Sequence, residues 1–234
     1  ATTMLDRISK DAHNLEEYFG IPSDAALCQV DQGLSDPHRG GQTVAILSFR
    51  IRRKTHKVVY KPKDMSLDET YQGLIKHIND HSQQAALKTI TIYSGRGYGY
   101  AEHITHRLCC DKRQRETFYH NAGRLTAVLY ILGCTDCHYE NLIAVRDQLV
   151  LIATETLFEG GFSHSLQANN ESLTDSSLSP IHERFRDSVL RSGILPIWIF
   201  FNNGRVAMDV SALGVAPPPT DMQFIRGWLG LNSD

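Results

Sequence analysis

The chain has 234 residues, of which 41% are hydrophobic, and a formal net charge of −2 at pH 7. The near-neutral charge, without a long run of like charges, gives no reason to expect a nucleic acid or an anionic membrane as a partner. The sequence has no run of 18 apolar residues and no charged-then-apolar leader, so we expect a cytoplasmic protein. Its five cysteines form an odd set, which also suits a reducing compartment.

The first hundred residues predict a small lobe that is rich in β-strands. Apolar residues at helical spacing predict a helix over 4–19 that ends at Gly20. Ser66 to Glu69 has the pattern of a capping box and predicts a second helix that runs to about residue 80. Alternating apolar residues bounded by turn residues predict strands over 43–49, 56–61, 89–93 and 100–104.

Two features of this lobe indicate phosphate binding. Gly40 and Gly41 precede a strand, where glycine lets backbone amides approach an anion closely, although the full G-x-G-x-x-G pattern is missing. The strand that ends at Lys61 has the form of the kinase strand whose lysine pairs with nucleotide phosphates. The other reading of Lys61 is an ordinary lysine on an edge strand, and Pro62 favours either an edge strand or the end of a strand. Glu69 is a tempting partner for this lysine, but its place in the capping box favours a structural role.

The second half of the chain holds the most specific pattern. A largely buried helix is predicted over 116–132, and Asp136 and Asn141 follow it at the spacing of a kinase catalytic loop. In that loop the aspartate accepts the proton of the attacking hydroxyl, and the asparagine holds a magnesium ion. Two apolar runs within 142–152 then predict a β-hairpin. In kinases this hairpin ends on a second metal-binding aspartate, but here the residue is Ala153.

The remaining patterns leave several readings open. His138 either holds the loop or contacts phosphate, and a purely structural histidine is an equal reading. Cys134 and Cys137 have the C-x-x-C spacing of a zinc site, but a closed site needs four ligands and the sequence has no second pair, so we expect no zinc. Further along, the sequence predicts a mobile polar loop over 163–180, a helix over 182–193, a hairpin over 197–210 and a short last helix after 219.

Seven segments together resemble one known family. They are Leu34 to Gly41, Tyr60 to Lys63, Tyr98 to Glu102, Asp136 to Asn141, Glu155 to Phe158, Asp187 to Pro196 and Ser211 to Gly214. In this order they look like segments of the dehydratase domain of class II lanthipeptide synthetases, the LanM type. The resemblance covers most of this chain but only part of a protein of that family.

The resemblance implies an α+β fold with two lobes, like that of lipid kinases and protein kinases. A small antiparallel, β-rich N-lobe would span 1–104, and a larger, mostly helical but incomplete C-lobe would span 105–234. The implied enzyme phosphorylates Ser and Thr of a precursor peptide with ATP and Mg²⁺ and then eliminates the phosphate. The implied partners are a precursor peptide with a leader and a Ser/Thr-rich core, and a cyclase domain that this chain lacks.

The resemblance also implies roles for individual residues. The implied catalytic residues are Asp36, His38, Asp136 and His138. The implied nucleotide-binding residues are Arg39, Gly40, Gly41 and Lys61. The implied metal ligands are Asn141 and the residue at position 153, where Ala153 replaces the expected aspartate.

Two departures from the family pattern predict an impaired enzyme. Ala153 removes a metal-binding carboxylate, and the chain stops before the Arg- and Thr-containing region associated with phosphate elimination. Ala153 also suggests a second reading, a non-catalytic, pseudokinase-like module that binds a nucleotide or a peptide. A third reading is a small-molecule kinase similar to the aminoglycoside phosphotransferases, which share the Asp-x-His-x-x-Asn loop but not the matches at 34–41 and 187–196.

Overall fold

The computed structural model describes residues 2–35, 42–158, 188–196, 198–201, 206–209 and 211–214. These residues form an α+β protein with a small antiparallel sheet and few helices, which confirms the predicted class. The chain divides into two compact units, Ala1–Thr105 and His106–Asp234. The predicted loop over 163–180, the last predicted helix and most of the helix predicted over 182–193 lie outside the described residues. The kinase-like arrangement of two lobes stays a prediction.

The first unit is built around a five-stranded antiparallel sheet with the strand order β1-β2-β3-β5-β4. The strands are β1 (Ala26–Asp31), β2 (Ala45–Ile51), β3 (Lys54–Lys61), β4 (Ile92–Gly95) and β5 (Tyr98–Glu102). The central strand is β3, which ends at Lys61 and pairs that residue with Gly99 of β5. The alternative reading of Lys61 as an edge-strand lysine is therefore wrong.

Two short helices, α1 (Thr2–Lys10) and α2 (Ala12–Phe19), pack with this sheet around one apolar core. Alternate residues of β2 point into the core, as the two-residue period of a strand requires. Burying a large apolar side chain contributes roughly 1.5–3 kcal/mol. The buried core residues are Met4, Ile8, Leu15, Ile21, Ala45, Leu47, Phe49, Val58, Tyr60 and Tyr100.

The helix predicted over 4–19 is in fact two helices that meet at Asp11. The carboxylate of Asp11 is buried and accepts hydrogen bonds from Tyr98 Oη at 2.7 Å and Tyr100 Oη at 3.2 Å. A buried carboxylate must find such donors, and here they lie on the sheet, so the helical turn is interrupted at this residue. The predicted end is confirmed, because Gly20 caps α2 with a positive φ of 64°.

The third helix of this unit, α3, spans Ser66–Asp80 as predicted, but its capping differs from the prediction. Ser66 is the first helical residue, and its N–H donates to the Asp64 carboxylate at 2.8 Å. This hydrogen bond lowers the pKa of the Asp64 carboxyl group. The N-cap position belongs to the buried Met65, so the predicted capping box is wrong.

The fourth strand begins three residues later than predicted because side chains of α3 form hydrogen bonds with the backbone of the residues that precede it. The Asn79 side chain donates to the Leu87 carbonyl and accepts from the Leu87 N–H, both at 2.8 Å. Gln72 Oε1 accepts from the Ile90 N–H at 3.0 Å. These hydrogen bonds replace sheet pairing up to Ile90, and regular pairing with β5 starts at Ile92.

The described part of the second unit contains one α-helix, a short 3₁₀ turn and two antiparallel hairpins. The elements are α4 (Lys112–Ile131), β6 (Leu142–Val145), β7 (Gln148–Leu151), the 3₁₀ turn Val189–Ser192, β8 (Trp198–Phe201) and β9 (Val206–Asp209). Both hairpins were predicted. The helix starts four residues earlier than predicted because Asp111 caps it by accepting from the Gln114 N–H at 2.8 Å. Within the described ranges, no helix is long and apolar enough to cross a membrane.

Candidate functional site

Three charged residues form a cluster in the first unit, which we call the Lys61 cluster: Lys61 and Asp68, which are buried, and Lys63, which is partly buried. Lys61 Nζ lies 3.4 Å from Asp68 Oδ1, and Lys63 Nζ lies 3.1 Å from Asp68 Oδ2. The Asp68 residue is only 3% exposed and Lys61 only 8%. Each oxygen of one buried carboxylate therefore holds one ammonium group, which fixes the position of both lysine side chains.

Sequence reasoning missed Asp68, since it considered Glu69 as the acidic partner of Lys61. Glu69 is exposed, whereas Asp68 shares the buried face of α3 with Tyr71 and Ile75. The spacing of these three residues, i, i+3 and i+7, is the spacing of one helix face. That periodicity was visible in the sequence and could have identified Asp68 as the inward-facing acid.

Gly99 lets this part of the unit pack closely. It pairs with Lys61 across the β3–β5 ladder, and a Cβ at this position would overlap the Met65 side chain and the Tyr93 carbonyl oxygen. Only glycine allows such an approach. Because Met65 precedes the helix that carries Asp68, Gly99 helps to set the distance between α3 and the end of β3.

In the second unit, the residues after α4 form a tight loop over 134–141, which we call the Asp136 loop. Gly133 has a positive φ of 67° and ends the helix, as predicted. The Cys134 N–H then donates to the Leu129 carbonyl at 3.0 Å. Cys134 and Cys137 form a disulfide across the first four residues of the loop. The loop therefore starts from a fixed point at the end of a long helix.

The structure brings three of the predicted site residues together in this loop. His138 Nε2 lies 3.2 Å from Asp136 Oδ1, and Asn141 Nδ2 donates to Asp136 Oδ2 at 3.1 Å. Asn141 Nδ2 also donates to the Asp136 carbonyl oxygen at 2.7 Å. The Glu140 N–H donates to His138 Nδ1 at 3.2 Å, which places the imidazole proton on Nε2, where it can donate to Asp136. Both carboxylate oxygens of Asp136 are thus oriented.

A second segment, 190–196, packs against the Asp136 loop, and sequence reasoning gave it no role. The Cys137 N–H donates to the Ser192 carbonyl at 2.8 Å, and both Ser192 and Ile194 are fully buried. Gly193 has a positive φ of 78°, and a Cβ there would lie 3.4 Å from the Cys137 backbone. The Leu190–Pro196 part of the family pattern is therefore a platform for the Asp136 loop. The glycine at position 193 was the feature of the sequence that could have indicated this role.

Position 153 lies beside Asn141 and carries no metal-binding group. The Ile152 N–H donates to the Asn141 carbonyl at 2.9 Å, so the segment after β7 runs along the Asp136 loop. Ala153 is partly exposed there, and Thr154 after it is buried. In the part of the chain that the structure describes, no group of three or more His, Cys, Asp or Glu residues could hold a metal ion.

The predicted site residues fall into three groups in the structure. Lys61 belongs to the first unit, and Asp136, His138 and Asn141 belong to the second. Their convergence on one cleft stays a prediction. The remaining predicted residues, Asp36, His38, Arg39, Gly40 and Gly41, lie outside the described residues.

Two comparisons with known proteins found matches. A family model described as "Domain of unknown function (DUF4135)" matches residues 1–234. The chain is also 24% identical over 170 residues to the "Lacticin 481/lactococcin biosynthesis protein LcnDR2" of Lactococcus lactis subsp. lactis. That alignment covers 69% of this chain but only 17% of the length of the relative.

Proposed function

Because this chain belongs to the DUF4135 family, and because it aligns with a lacticin biosynthesis protein, we propose that it modifies a precursor peptide in lanthipeptide biosynthesis. In more detail, we propose that it is a kinase-like dehydratase segment. Such a segment transfers phosphate from ATP to Ser or Thr of the peptide, and the phosphate is then eliminated. The precursor peptide is its substrate, and a cyclase domain acts after it on the dehydrated residues.

The contact of Asp136 with His138 and Asn141 carries this proposal. A carboxylate that takes a proton from a Ser or Thr hydroxyl must be held in one orientation, because proton transfer requires hydrogen-bond distance to the attacking oxygen. His138 donates to one oxygen of Asp136 and Asn141 donates to the other. Asp136 remains half-exposed, with 48% of its side chain accessible, so a peptide hydroxyl can reach it.

The Lys61 cluster has the chemistry to hold a nucleotide. When bound, ATP would supply the phosphoryl group, and Lys61 and Lys63 would contact its phosphates. Asp68 orients both ammonium groups through the contacts at 3.4 and 3.1 Å. Lysine binds phosphate as a compact point charge, so the position of its ammonium group decides the strength of the contact.

The residues beside Asn141 fit a magnesium ion poorly. The amide nitrogen of Asn141 donates to Asp136, which leaves its carbonyl oxygen as the atom that would face a cation. Ala153 offers only a methyl group where a charged oxygen ligand is expected, and magnesium prefers hard, charged oxygen ligands. We therefore propose that phosphate transfer by this chain is impaired. The same residue favours a second candidate function, a non-catalytic module that binds a nucleotide or a peptide.

Calorimetric titration with ATP and Mg²⁺ tests this assignment on three variants. Lys61→Ala should weaken ATP binding by at least about tenfold, because it removes a contact to ground-state phosphates. Asp136→Ala should leave ATP affinity nearly unchanged, because its carboxylate acts on the attacking hydroxyl. Lys88→Ala is the matched control, since Lys88 is a lysine of the same unit that pairs with Glu102 at 3.3 Å. Equal losses in Lys61→Ala and Asp136→Ala would contradict the assigned roles.

A further inference from the structure

The Asp136 loop contains a pair of cysteines that phosphate transfer does not use. The Cys134–Cys137 disulfide encloses only Thr135 and Asp136. Both cysteines are buried, at 1% and 0% exposure, whereas Thr135 and Asp136 are exposed. The other three cysteines are free thiols: Cys28, Cys109 and Cys110. One disulfide among free thiols is not the pattern of a disulfide-stabilised secreted domain, and isolated disulfides of this kind are often reversible.

The two ends of the enclosed segment are held by the backbone. The Cys134 N–H donates to the Leu129 carbonyl at 3.0 Å, and the Cys137 N–H donates to the Ser192 carbonyl at 2.8 Å. Both cysteines are packed in a buried site and both ends of the segment are held, so breaking the disulfide loosens first the exposed residues between them, and one of these is Asp136.

We propose that Cys134 and Cys137 form a thiol–disulfide exchange site that controls the position of the Asp136 carboxylate. Oxidation would use a low-molecular-weight disulfide of the glutathione class. When the Asp136 loop opens locally, the thiolate of one cysteine attacks this disulfide and releases one small thiol, and the other cysteine then displaces the second small thiol. Two cysteine thiols are oxidised, one small disulfide is reduced, and the two protons end on the two released thiols.

The disulfide form is the form in which Asp136 contacts His138 and Asn141. In the dithiol form the loop is looser, and these contacts are lost for part of the time. A displacement of about 1 Å in a reacting group can lower a rate by about 100-fold. The exchange site stands without the proposed function, whereas its effect on phosphate transfer rests on that function.

Thiol labelling tests whether the pair reacts. The full chain is treated with oxidised glutathione or with dithiothreitol, unfolded in iodoacetamide, and analysed by mass spectrometry. In the oxidised sample Cys134 and Cys137 should be joined to each other and unlabelled, whereas the reduced sample should carry label on all five cysteines. Cys28→Ser should leave the pair unaffected. Full labelling of Cys134 and Cys137 after oxidation would overturn the proposal.

Hydrogen exchange tests whether the pair controls the loop, and this measurement needs neither ATP nor a peptide. The amide proton of Asn141, which donates to the His138 carbonyl, should exchange about tenfold faster in the dithiol form, whereas that of Cys137, which donates to the Ser192 carbonyl, should not change. Peptides from β2 and β3 should not change. A Cys134→Ser/Cys137→Ser double variant should match the dithiol form under both conditions. Equal exchange in the loop of both forms would overturn the control of Asp136, whatever the outcome for phosphate transfer.

Discussion

Asp68 lies between two ammonium groups and helps to hold both lysine side chains in position. Its two oxygens contact Lys61 and Lys63 at 3.4 and 3.1 Å, and its side chain is 4% exposed. Removing one member of a buried ion pair leaves an uncompensated charge in a poorly solvated site. Asp68 is therefore required for the stability of the first unit and for the proposed placement of nucleotide phosphates.

We predict that Asp68→Asn lowers the free energy of unfolding by about 3 kcal/mol, the usual cost of breaking a buried ion pair. Glu69→Gln is the matched control, because it makes the same chemical change one position along the helix on an exposed residue. It should change the free energy of unfolding by less than about 0.5 kcal/mol. Urea unfolding of both variants checks this, and equal stability of the two would show that the lysines do not depend on Asp68.

Individual residues of the site could be predicted only where a motif fixes their spacing. Asp136 and Asn141 lie five positions apart in one loop, so their contact follows from local sequence. The Lys61–Asp68 pair joins a strand to a helix. Identifying it required knowing which residues of α3 face inward, because the residue type alone did not distinguish Asp68 from Glu69. The tyrosine partners of Asp11 come from the sheet more than eighty positions later, and no local pattern connects them.

The contact between Asp11 and the tyrosines fastens α1 and α2 to the sheet. Burial raises the pKa of Tyr100, and the Asp11 carboxylate raises it further. Ionisation of this tyrosine in the folded protein would place two negative charges side by side. The raised pKa therefore stabilises the fold below the ordinary tyrosine pKa of about 10, and this stabilisation is lost as the pH rises through the folded-state value.

We predict that the urea midpoint of the wild-type chain falls steadily between pH 9 and pH 12. In Asp11→Asn the midpoint should be lower at pH 7, since a charged acceptor contributes roughly 1.5–3 kcal/mol. Its further fall at alkaline pH should be shallower, because the carboxylate no longer raises the pKa of Tyr100. Parallel pH curves for the two proteins would show that Asp11 does not act on this tyrosine.

The platform under the Asp136 loop gives a second prediction for the packing of elements. Gly193→Val should lower the free energy of unfolding by about 2 kcal/mol, because it places a branched residue at a φ of 78° and crowds the Cys137 backbone. Gly123→Ala is the control, since a Cβ at Gly123 in α4 meets no atom within 4 Å. This control should be neutral or stabilising by up to about 1 kcal/mol. A Gly193→Val protein as stable as the control would remove the platform role.

The helices and strands could be predicted from sequence periodicity except where a side chain from another element contacts the segment. The hairpins β2–β3 and β6–β7 are found where alternation places them. The strand β4 starts late because Asn79 and Gln72 of α3 bind the preceding backbone. The first predicted helix breaks at Asp11, whose carboxylate accepts hydrogen bonds from tyrosines of the sheet. Both differences depend on tertiary contacts that sequence periodicity does not record.

Each of the two units carries some of the candidate residues. The first holds Lys61 and Asp68, and the second holds Asp136, His138 and Asn141. The chain belongs to the DUF4135 family and aligns with a lacticin 481/lactococcin biosynthesis protein, and the order of its motifs along the sequence resembles that of a kinase. Phosphate transfer stays a prediction, and we expect Ala153 to limit it.

Mass spectrometry of a lantibiotic precursor peptide incubated with the chain, ATP and Mg²⁺ tests this proposal most directly. Ala153→Asp should add about 80 Da for each phosphoryl group transferred, at least about 100-fold faster than the wild-type chain, because a metal-binding carboxylate is restored. Adding Asp136→Asn to that variant should abolish the gain. A gain of the same size and rate in the wild-type chain, or one that persists in the double variant, would contradict the proposed site.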